Sequence, residues 1–314
     1  MNSPLNITTI DADYINHGIA ALYMLEKNGH AAFIDTGTQH SFSNVTTAMH
    51  QQKISADNVE YVILTHIHLD HAGGASHMME AFPNAQLVVH PFGSRHMADP
   101  SKLVAGTKAV YGDKKFLELY GELSPINANQ IIETTDEMNL DFQGETLTFL
   151  DTPGHAKHHH CIYYENGKTC FTGDTLGLSY PDLNLDDENI CLLPTTTPVQ
   201  FSPNDLHLSI DKVMSRNPLT IYPTHFSAVR PTTENIARLH EHIDAFTMLA
   251  EQAQQDGNEE TLTERLSEKI LDYMTTQVIN NNPNITRDFA IHRLRMDAEL
   301  NSQGLAVWLK KYSK

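Results

Sequence analysis

Three histidines and an aspartate lie within six residues of one short stretch, Thr65–Gly74, with the sequence THIHLDHAGG. The run before it, Val59–Leu64 (VEYVIL), is apolar and rich in β-branched residues, as is typical of a buried strand. Any fold of this chain must therefore place four ligand-type side chains where a strand ends. The two glycines that close the stretch permit a sharp turn into the next segment.

The spacing inside this stretch indicates how the ligands divide. In a fully extended backbone, His66, His68 and Asp70 would all point to the same side. In a tight loop, His66 and His68 can face one point while Asp70 and His71 face another. Nitrogen and oxygen ligands without thiolate suit zinc, and also iron or manganese. The stretch therefore predicts the beginning of a dinuclear metal site.

Further ligand candidates follow other apolar β runs in the chain. His155 comes after a strand and a Pro-Gly turn in DTPGHAKHHH, Asp174 lies in FTGDTLG, and His225 ends the run in IYPTHF. Functional side chains are often carried by segments that a rigid β scaffold positions. We therefore predict that these three residues join the first four.

The predicted secondary structure is rich in strands in the first part of the chain and helical in the last part. Residues 5–36 predict strands with a hairpin at Asn28-Gly29, and Asn166-Gly167 predicts a second hairpin. Short helices are predicted near residues 42–54 and 74–81.

Two segments have helical spacing without strands, residues 91–128 and the region after about residue 232. The first is predicted to be a helical insertion. In the second, Thr261 and Glu264 predict a capping box, with Leu266 and Ile270 on the apolar face that follows. We predict a main domain over residues 1–232 and a C-terminal helical region over residues 233–314.

Composition narrows the classes of function. The chain has 39 acidic and 21 basic residues and a net charge of -18, so it repels phosphate backbones and is not expected to bind nucleic acid. Its three cysteines lack CxxC spacing and predict reduced thiols in a cytoplasmic protein. No secretory signal is visible, and no apolar run approaches the roughly 20 residues that cross a bilayer, so no membrane partner is expected.

The motif HxHxDH, followed in order by TPGH, TGD and PTHF, resembles the metallo-β-lactamase superfamily of hydrolases. The resemblance covers roughly residues 5–230, and it is strongest to stand-alone, uncharacterised members and weaker to glyoxalase II and RNA-processing members. It implies an α+β fold, the four-layer αββα sandwich, with two sheets back to back and helices outside. In this chain a C-terminal helical extension would follow.

The resemblance also implies roles for individual residues. One divalent metal ion would be held by His66, His68 and His155, the other by Asp70, His71 and His225, and Asp174 would bridge them. Zinc is the expected metal, with iron or manganese as alternatives. A metal-bridging hydroxide would attack a small ester, thioester or lactone. Asp70 would orient this nucleophile and carry a proton to the leaving group.

Several roles stay open from the sequence. Asp35, in FIDTG, would hydrogen-bond a ligand histidine or serve as a turn former. His96 could approach the site, and Tyr180 could donate a hydrogen bond to a developing oxyanion or be an ordinary loop aromatic. One residue of the triplet His158, His159 and His160 could line the substrate pocket, or all three could be structural or solvated.

The alternative functions are an iron-loaded redox enzyme of the same fold, a phosphodiester hydrolase, and a metal-holding binding protein with little turnover. The expected partner is a small-molecule substrate, whose identity would depend on residues 91–128, residues 176–200 and the C-terminal helices. Those helices could also form a homodimer interface.

Overall fold

A computed structural model describes residues 4–186, 189–196 and 199–312, so the predicted substrate loop 176–200 is described in part. The chain divides into two compact units. The first contains the residues up to Asp151, His158–Gly173 and Thr224–Phe226, and the second contains Thr152–Lys157, Asp174–Pro223 and the residues from Ser227 onward. The predicted domain boundary near residue 232 stays a prediction.

The first sheet has six strands in the order β1-β2-β3-β4-β5-β6. They are β1 (Asn6–Asp11), β2 (Ala21–Lys27), β3 (His30–Ile34), β4 (Val59–Ile63), β5 (Gln86–Val89) and β6 (Ile131–Glu133). The first three pair antiparallel, with the predicted Asn28-Gly29 turn between β2 and β3, whereas β3 to β6 pair parallel. The carboxyl ends of neighbouring parallel strands meet at one edge. The segments that follow β3 and β4 therefore lie side by side.

The second sheet has five strands in the order β11-β10-β9-β8-β7. They are β7 (Asn139–Phe142), β8 (Glu145–Asp151), β9 (His160–Tyr164), β10 (Thr169–Leu178) and β11 (Thr220–His225). The predicted Asn166-Gly167 hairpin joins β9 to β10. Within the first unit, Tyr23 of β2 packs on Phe171 of β10 with ring centroids 5.4 Å apart. Both aromatic side chains are buried, so this contact belongs to the apolar core.

The helices of the first unit include the predicted insertion. They are α1 (Phe42–Gln52), α2 (Leu69–Ala72), α3 (Ala75–Ala81), α4 (Pro91–Ala98), α5 (Ser101–Tyr111) and α6 (Asp113–Tyr120). Helix α4 begins at a proline, and the His90 side chain caps it by accepting from Phe92 N–H at 3.1 Å. Three helices thus occupy the segment that the sequence predicts as a helical insertion.

The second unit carries four long helices, α7 (Pro203–Ser215), α8 (Thr233–Gln255), α9 (Leu262–Asn281) and α10 (Arg287–Tyr312). The predicted apolar face of α9 is buried, including Leu266 and Ile270. The predicted capping box is wrong: Thr261 precedes α9, but its hydroxyl donates to Asn258 Oδ1 at 2.8 Å instead of capping the helix. None of the helices described in the structure is long and apolar enough to cross a bilayer.

Candidate metal centre

The segment after β4 makes the sharp turn that the sequence predicts. His68 has extended backbone angles, φ -66° and ψ 149°, and it immediately precedes the short helix α2, which carries Asp70 and His71. The chain then passes very close to the segment after β3. A Cβ atom at Gly74 would lie 2.8 Å from the Thr38 carbonyl oxygen, so only glycine permits this approach.

Asp70, His71 and His225 converge in the first unit. One ligand atom of each residue lies within 4.8 Å of those of the other two. Asp70 Oδ2 is 3.3 Å from His225 Nε2 and 3.6 Å from His71 Nε2. His225 Nδ1 lies 2.7 Å from the Ile19 carbonyl oxygen, which can only accept, so the ring carries its hydrogen on Nδ1 and leaves Nε2 able to bind a cation.

His66 and His68 lie next to each other, which both the extended and the tight-loop arrangement predict. His66 Nε2 faces His68 Nδ1 at 2.8 Å, and the two rings meet edge to face. His159 and His158 lie alongside, with ring centroids 4.9 Å and 6.0 Å from that of His66. His158 and His159 are thus the members of the triplet beside His66, and a pocket role for one of them stays a prediction.

His160, the third residue of the triplet, lies in the interior at the start of β9. Its Nδ1 is 2.9 Å from the Thr134 hydroxyl, and its ring packs edge-on against Phe149. Burial, and then the nearby His90 ring, lower the pKa of His160 to about 3, so this imidazole is neutral at physiological pH. Only His160 of the triplet belongs to β9, and it faces the interior, while His158 and His159 precede the strand and lie beside His66.

His155 and Asp174 contact each other in the second unit. His155 Nε2 lies 3.4 Å from Asp174 Oδ2, and both side chains are buried. On the other side of the ring, His155 Nδ1 is 3.1 Å from the Thr195 carbonyl oxygen. That acceptor favours a hydrogen on Nδ1 and leaves Nε2 as the cation-binding atom beside the carboxylate.

Asp35 connects the segments on which the first unit's ligands lie. This carboxylate is 1% exposed, and it accepts from Thr65 N–H at 2.8 Å, from the Thr65 hydroxyl at 3.0 Å and from the Thr224 hydroxyl at 2.8 Å. Its Oδ2 also lies 2.8 Å from His71 Nδ1. Asp35 therefore accepts a hydrogen bond from His71, one of the predicted ligand histidines, as expected. The turn-former alternative also has a basis, since Asp35 adopts φ +59°.

Three tyrosines near Asp70 are absent from the sequence prediction. The hydroxyl groups of Tyr14 and Tyr120 are 3.0 Å apart, and the Tyr111 ring packs against the Tyr120 ring. Burial, followed by the negative charge of Asp70, raises the pKa of both Tyr14 and Tyr120 well above the usual 10. These phenols therefore keep their protons at neutral pH. The sequence contains only a weak indication that these tyrosines lie near the site. Two of the three belong to the helical insertion, which is predicted to govern substrate choice.

Two weaker candidates have structural partners. The Tyr180 hydroxyl is buried and donates to Asp297 of α10 at 3.0 Å, which makes it part of the packing of the second unit. His96 is half-buried on α4 with the Arg95 guanidinium 3.3 Å from its Nε2. Burial and that cationic neighbour lower the pKa of His96, so its ring is neutral at physiological pH.

Comparison with known proteins identifies the family. The model of the metallo-β-lactamase superfamily matches residues 16–225, which is well over half of the chain. The chain belongs to the metallo-β-lactamase superfamily, and the assignment to this family of enzymes made from the motifs is confirmed.

Among individual proteins, the chain is 27% identical over 184 residues to the Metallo-beta-lactamase fold-containing protein ST1585 of Sulfurisphaera tokodaii, covering 58% of this chain and 63% of that protein. The crystal structure of the archaeal ST1585 superposes with a TM-score of 0.64 at 21% identity, covering 96% of this chain and 99% of that one. At this identity the likeness concerns the fold alone, and the metallo-β-lactamase fold expected from the sequence is confirmed.

Two enzymes are also similar over part of their length. Hydroxyacylglutathione hydrolase 1 of Vibrio vulnificus is 31% identical over 153 residues, covering 46% of this chain and 48% of that protein. Atrochrysone carboxyl ACP thioesterase of Aspergillus fumigatus is 27% identical over 158 residues, covering 49% of this chain and 39% of that protein. The chain thus spans less than two thirds of the length of each of these curated relatives.

Proposed function

We propose that this protein is a hydrolase that uses two divalent metal ions to cleave a small thioester, or a related ester or lactone. The convergence of Asp70, His71 and His225, with Asp35 behind His71, is the observation that carries the proposal. A carboxylate behind a ligand imidazole is a common feature of protein metal sites. The similarity to a thioesterase and to a hydroxyacylglutathione hydrolase supports the substrate class.

The donor set fits divalent ions. The chain offers five imidazoles and two carboxylates at the positions that the family motifs assign, namely His66, His68, Asp70, His71, His155, Asp174 and His225. This mixture of nitrogen and oxygen without thiolate suits zinc first, then iron or manganese. When bound, a pair of such ions lowers the pKa of water and polarises the substrate carbonyl.

Asp70 is the residue best placed to move a proton in this reaction. Its side chain is 21% exposed, whereas that of His71 is fully buried, so Asp70 combines contact with two candidate ligands and access to solvent. A carboxylate in this position can accept the proton of the attacking water and return it to the leaving thiolate or alkoxide. The negative charge of Asp70 also repels anionic groups of a substrate, unless a bound cation holds them.

Tyr14 and Tyr120 supply hydrogen-bond donors close to Asp70. Because both phenols stay protonated, either can donate to the oxygen that becomes negative when the carbonyl is attacked. The two hydroxyl groups contact each other at 3.0 Å, so one can orient the other.

We predict that Tyr120→Phe lowers kcat by about tenfold to 100-fold with little change in KM, because a donor that acts mainly in the transition state is removed. Steady-state kinetics on the best thioester would measure this. Tyr61→Phe, a half-buried tyrosine of β4, is the matched control and should keep kcat within about twofold. Equal kcat values for Tyr120→Phe and the wild type would remove Tyr120 from the mechanism.

The proposed function is tested by a substrate panel in the presence and absence of chelator. Purified protein, stripped and then reloaded with zinc, iron or manganese, would be assayed on small thioesters, esters, lactones and bis-(p-nitrophenyl) phosphate. We expect about two equivalents of metal per chain by elemental analysis, thioester cleavage in the loaded protein, and its loss on chelation. Phosphodiester cleavage alone, or oxygen consumption by the iron-loaded form without hydrolysis, would instead support one of the alternative functions.

A further inference from the structure

Two neighbouring helices of the second unit carry the same short motif. Helix α7 contains HLSID, from His207 to Asp211, and α8 contains HEHID, from His240 to Asp244. In each motif the histidine and the aspartate are four residues apart, so they lie on one face of the helix. In the structure these two faces meet, and the rings of His207 and His240 are nearly parallel, at 13°, with centroids 4.9 Å apart and their Nδ1 edges facing each other.

The contacts within this group of four residues are reciprocal. His207 Nδ1 lies 2.6 Å from His240 Nδ1. His207 Nε2 lies 3.1 Å from the Asp244 carboxylate, and His240 Nε2 lies 3.4 Å from the Asp211 carboxylate. Each ring therefore faces a carboxylate of the other helix on one side and the second imidazole on the other.

This arrangement constrains where the hydrogen atoms lie. An ionised carboxylate only accepts, so each Nε2 carries the hydrogen that it directs at an aspartate. A neutral imidazole with its hydrogen on Nε2 has a lone pair on Nδ1. Two lone pairs 2.6 Å apart repel each other unless a cation lies between or beside them. The cation is either an extra proton shared by the two rings or a metal ion.

One observation favours the metal ion over the proton. A histidine that binds a metal through one nitrogen commonly donates its other N–H to a carboxylate, and here both histidines have that partner.

We propose that His207 and His240 bind one divalent transition-metal ion, such as Zn²⁺, Ni²⁺ or Cu²⁺, through their Nδ1 atoms. Asp244 and Asp211 position the two rings. The histidine side chains are 24% and 25% exposed, so the ion can enter from solvent and keep water on its remaining positions. Zinc–nitrogen bonds of about 2.05 Å place two ligand nitrogens about 3.3 Å apart in tetrahedral geometry, so the rings separate slightly on binding. The ion joins α7 to α8.

The test compares metal content between the full-length wild type and His207→Ala. Both proteins would be dialysed against the same micromolar Zn²⁺ solution and measured by elemental analysis. We expect the wild type to hold one equivalent more than His207→Ala, and His240→Ala to lose the same equivalent. Because the result is a difference between proteins, it holds whether or not the proposed catalytic centre fills. His292→Ala, an exposed histidine of α10, is the matched control and should retain the wild-type count.

Two further measurements identify the site itself. Asp244→Asn should weaken Zn²⁺ binding at this site by about tenfold to 100-fold in a competition titration, because the orienting carboxylate is lost. Cu²⁺ bound at this site should show nitrogen couplings from two imidazoles in its electron paramagnetic resonance spectrum, and His240→Gln should lose this signal. Equal zinc counts in the wild type, His207→Ala and His240→Ala, with folding confirmed by circular dichroism, would overturn the proposal and leave a shared proton as the cation.

Discussion

Asp70→Asn is expected to lower kcat for the best thioester by about 10³-fold or more while leaving the chain folded. The substitution keeps the size of the side chain but removes the negative charge that can bind a cation and accept a proton. Since Asp70 is partly exposed and contacts His225 and His71 only at 3.3 and 3.6 Å, its replacement leaves no cavity in the core. Kinetics with fully reloaded protein would measure the loss.

A second measurement separates the two roles of Asp70. If the residue acts mainly as a ligand, Asp70→Asn should lose metal by elemental analysis, and excess metal should restore part of the rate. If it acts mainly in proton transfer, metal content stays near that of the wild type while kcat stays low. Asp57→Asn, an exposed carboxylate just before β4, is the control and should leave kcat unchanged. A rate within tenfold of wild type for Asp70→Asn would be incompatible with both roles.

The sequence predicted the features that depend on local geometry. The buried run before His66 placed the ligand stretch at the end of a strand, and glycine is required at position 74 because a Cβ atom there would lie 2.8 Å from the Thr38 carbonyl oxygen. Both Asn-Gly pairs lie in hairpin loops: Asn28 and Gly29 adopt the positive φ of a two-residue turn, whereas in the longer loop around Asn166-Gly167 the positive φ falls on Lys168. The strand end and the hairpins depend on neighbours within a few residues, whereas the close approach at Gly74 is to Thr38 in a distant segment.

Features that depend on contacts between residues far apart in the chain were not predicted from the sequence. Tyr14 and Tyr120 are 106 positions apart, and only the folded first unit brings their hydroxyl groups together. The capping box at Thr261 failed for a local reason, because the Thr261 hydroxyl accepts from the Arg265 guanidinium and donates to Asn258 instead of accepting from a helix N–H. The two H-x-x-I-D motifs were visible in the sequence, but neither signals a site until α7 and α8 bring the two Nδ1 atoms together.

Asp35→Ala is expected to lower both the stability of the metal-free protein and its affinity for metal. The carboxylate accepts from Thr65 N–H, from two hydroxyl groups and from His71, and at 1% exposure no bulk water can replace it. Removing one partner from such a buried charged network costs roughly 3–5 kcal/mol of unfolding free energy. His71 also loses the acceptor that orients its ring, so metal affinity should fall by about tenfold to 100-fold.

Denaturant unfolding in excess chelator would measure the stability, since binding of metal to the native state would otherwise add to it. A competition titration with a chromophoric chelator would measure the affinity. Asp136→Ala is the matched control, because this exposed carboxylate accepts a backbone N–H, that of Asp151, at 2.8 Å; its removal should cost less than about 1.5 kcal/mol. The loss of unfolding free energy in Asp35→Asn should lie between those of Asp35→Ala and Asp136→Ala. The amide oxygen of asparagine can still accept hydrogen bonds, but its NH₂ group faces other donors. An Asp35→Ala protein with the unfolding midpoint of the wild type would show that Asp35 does not hold the strand ends together.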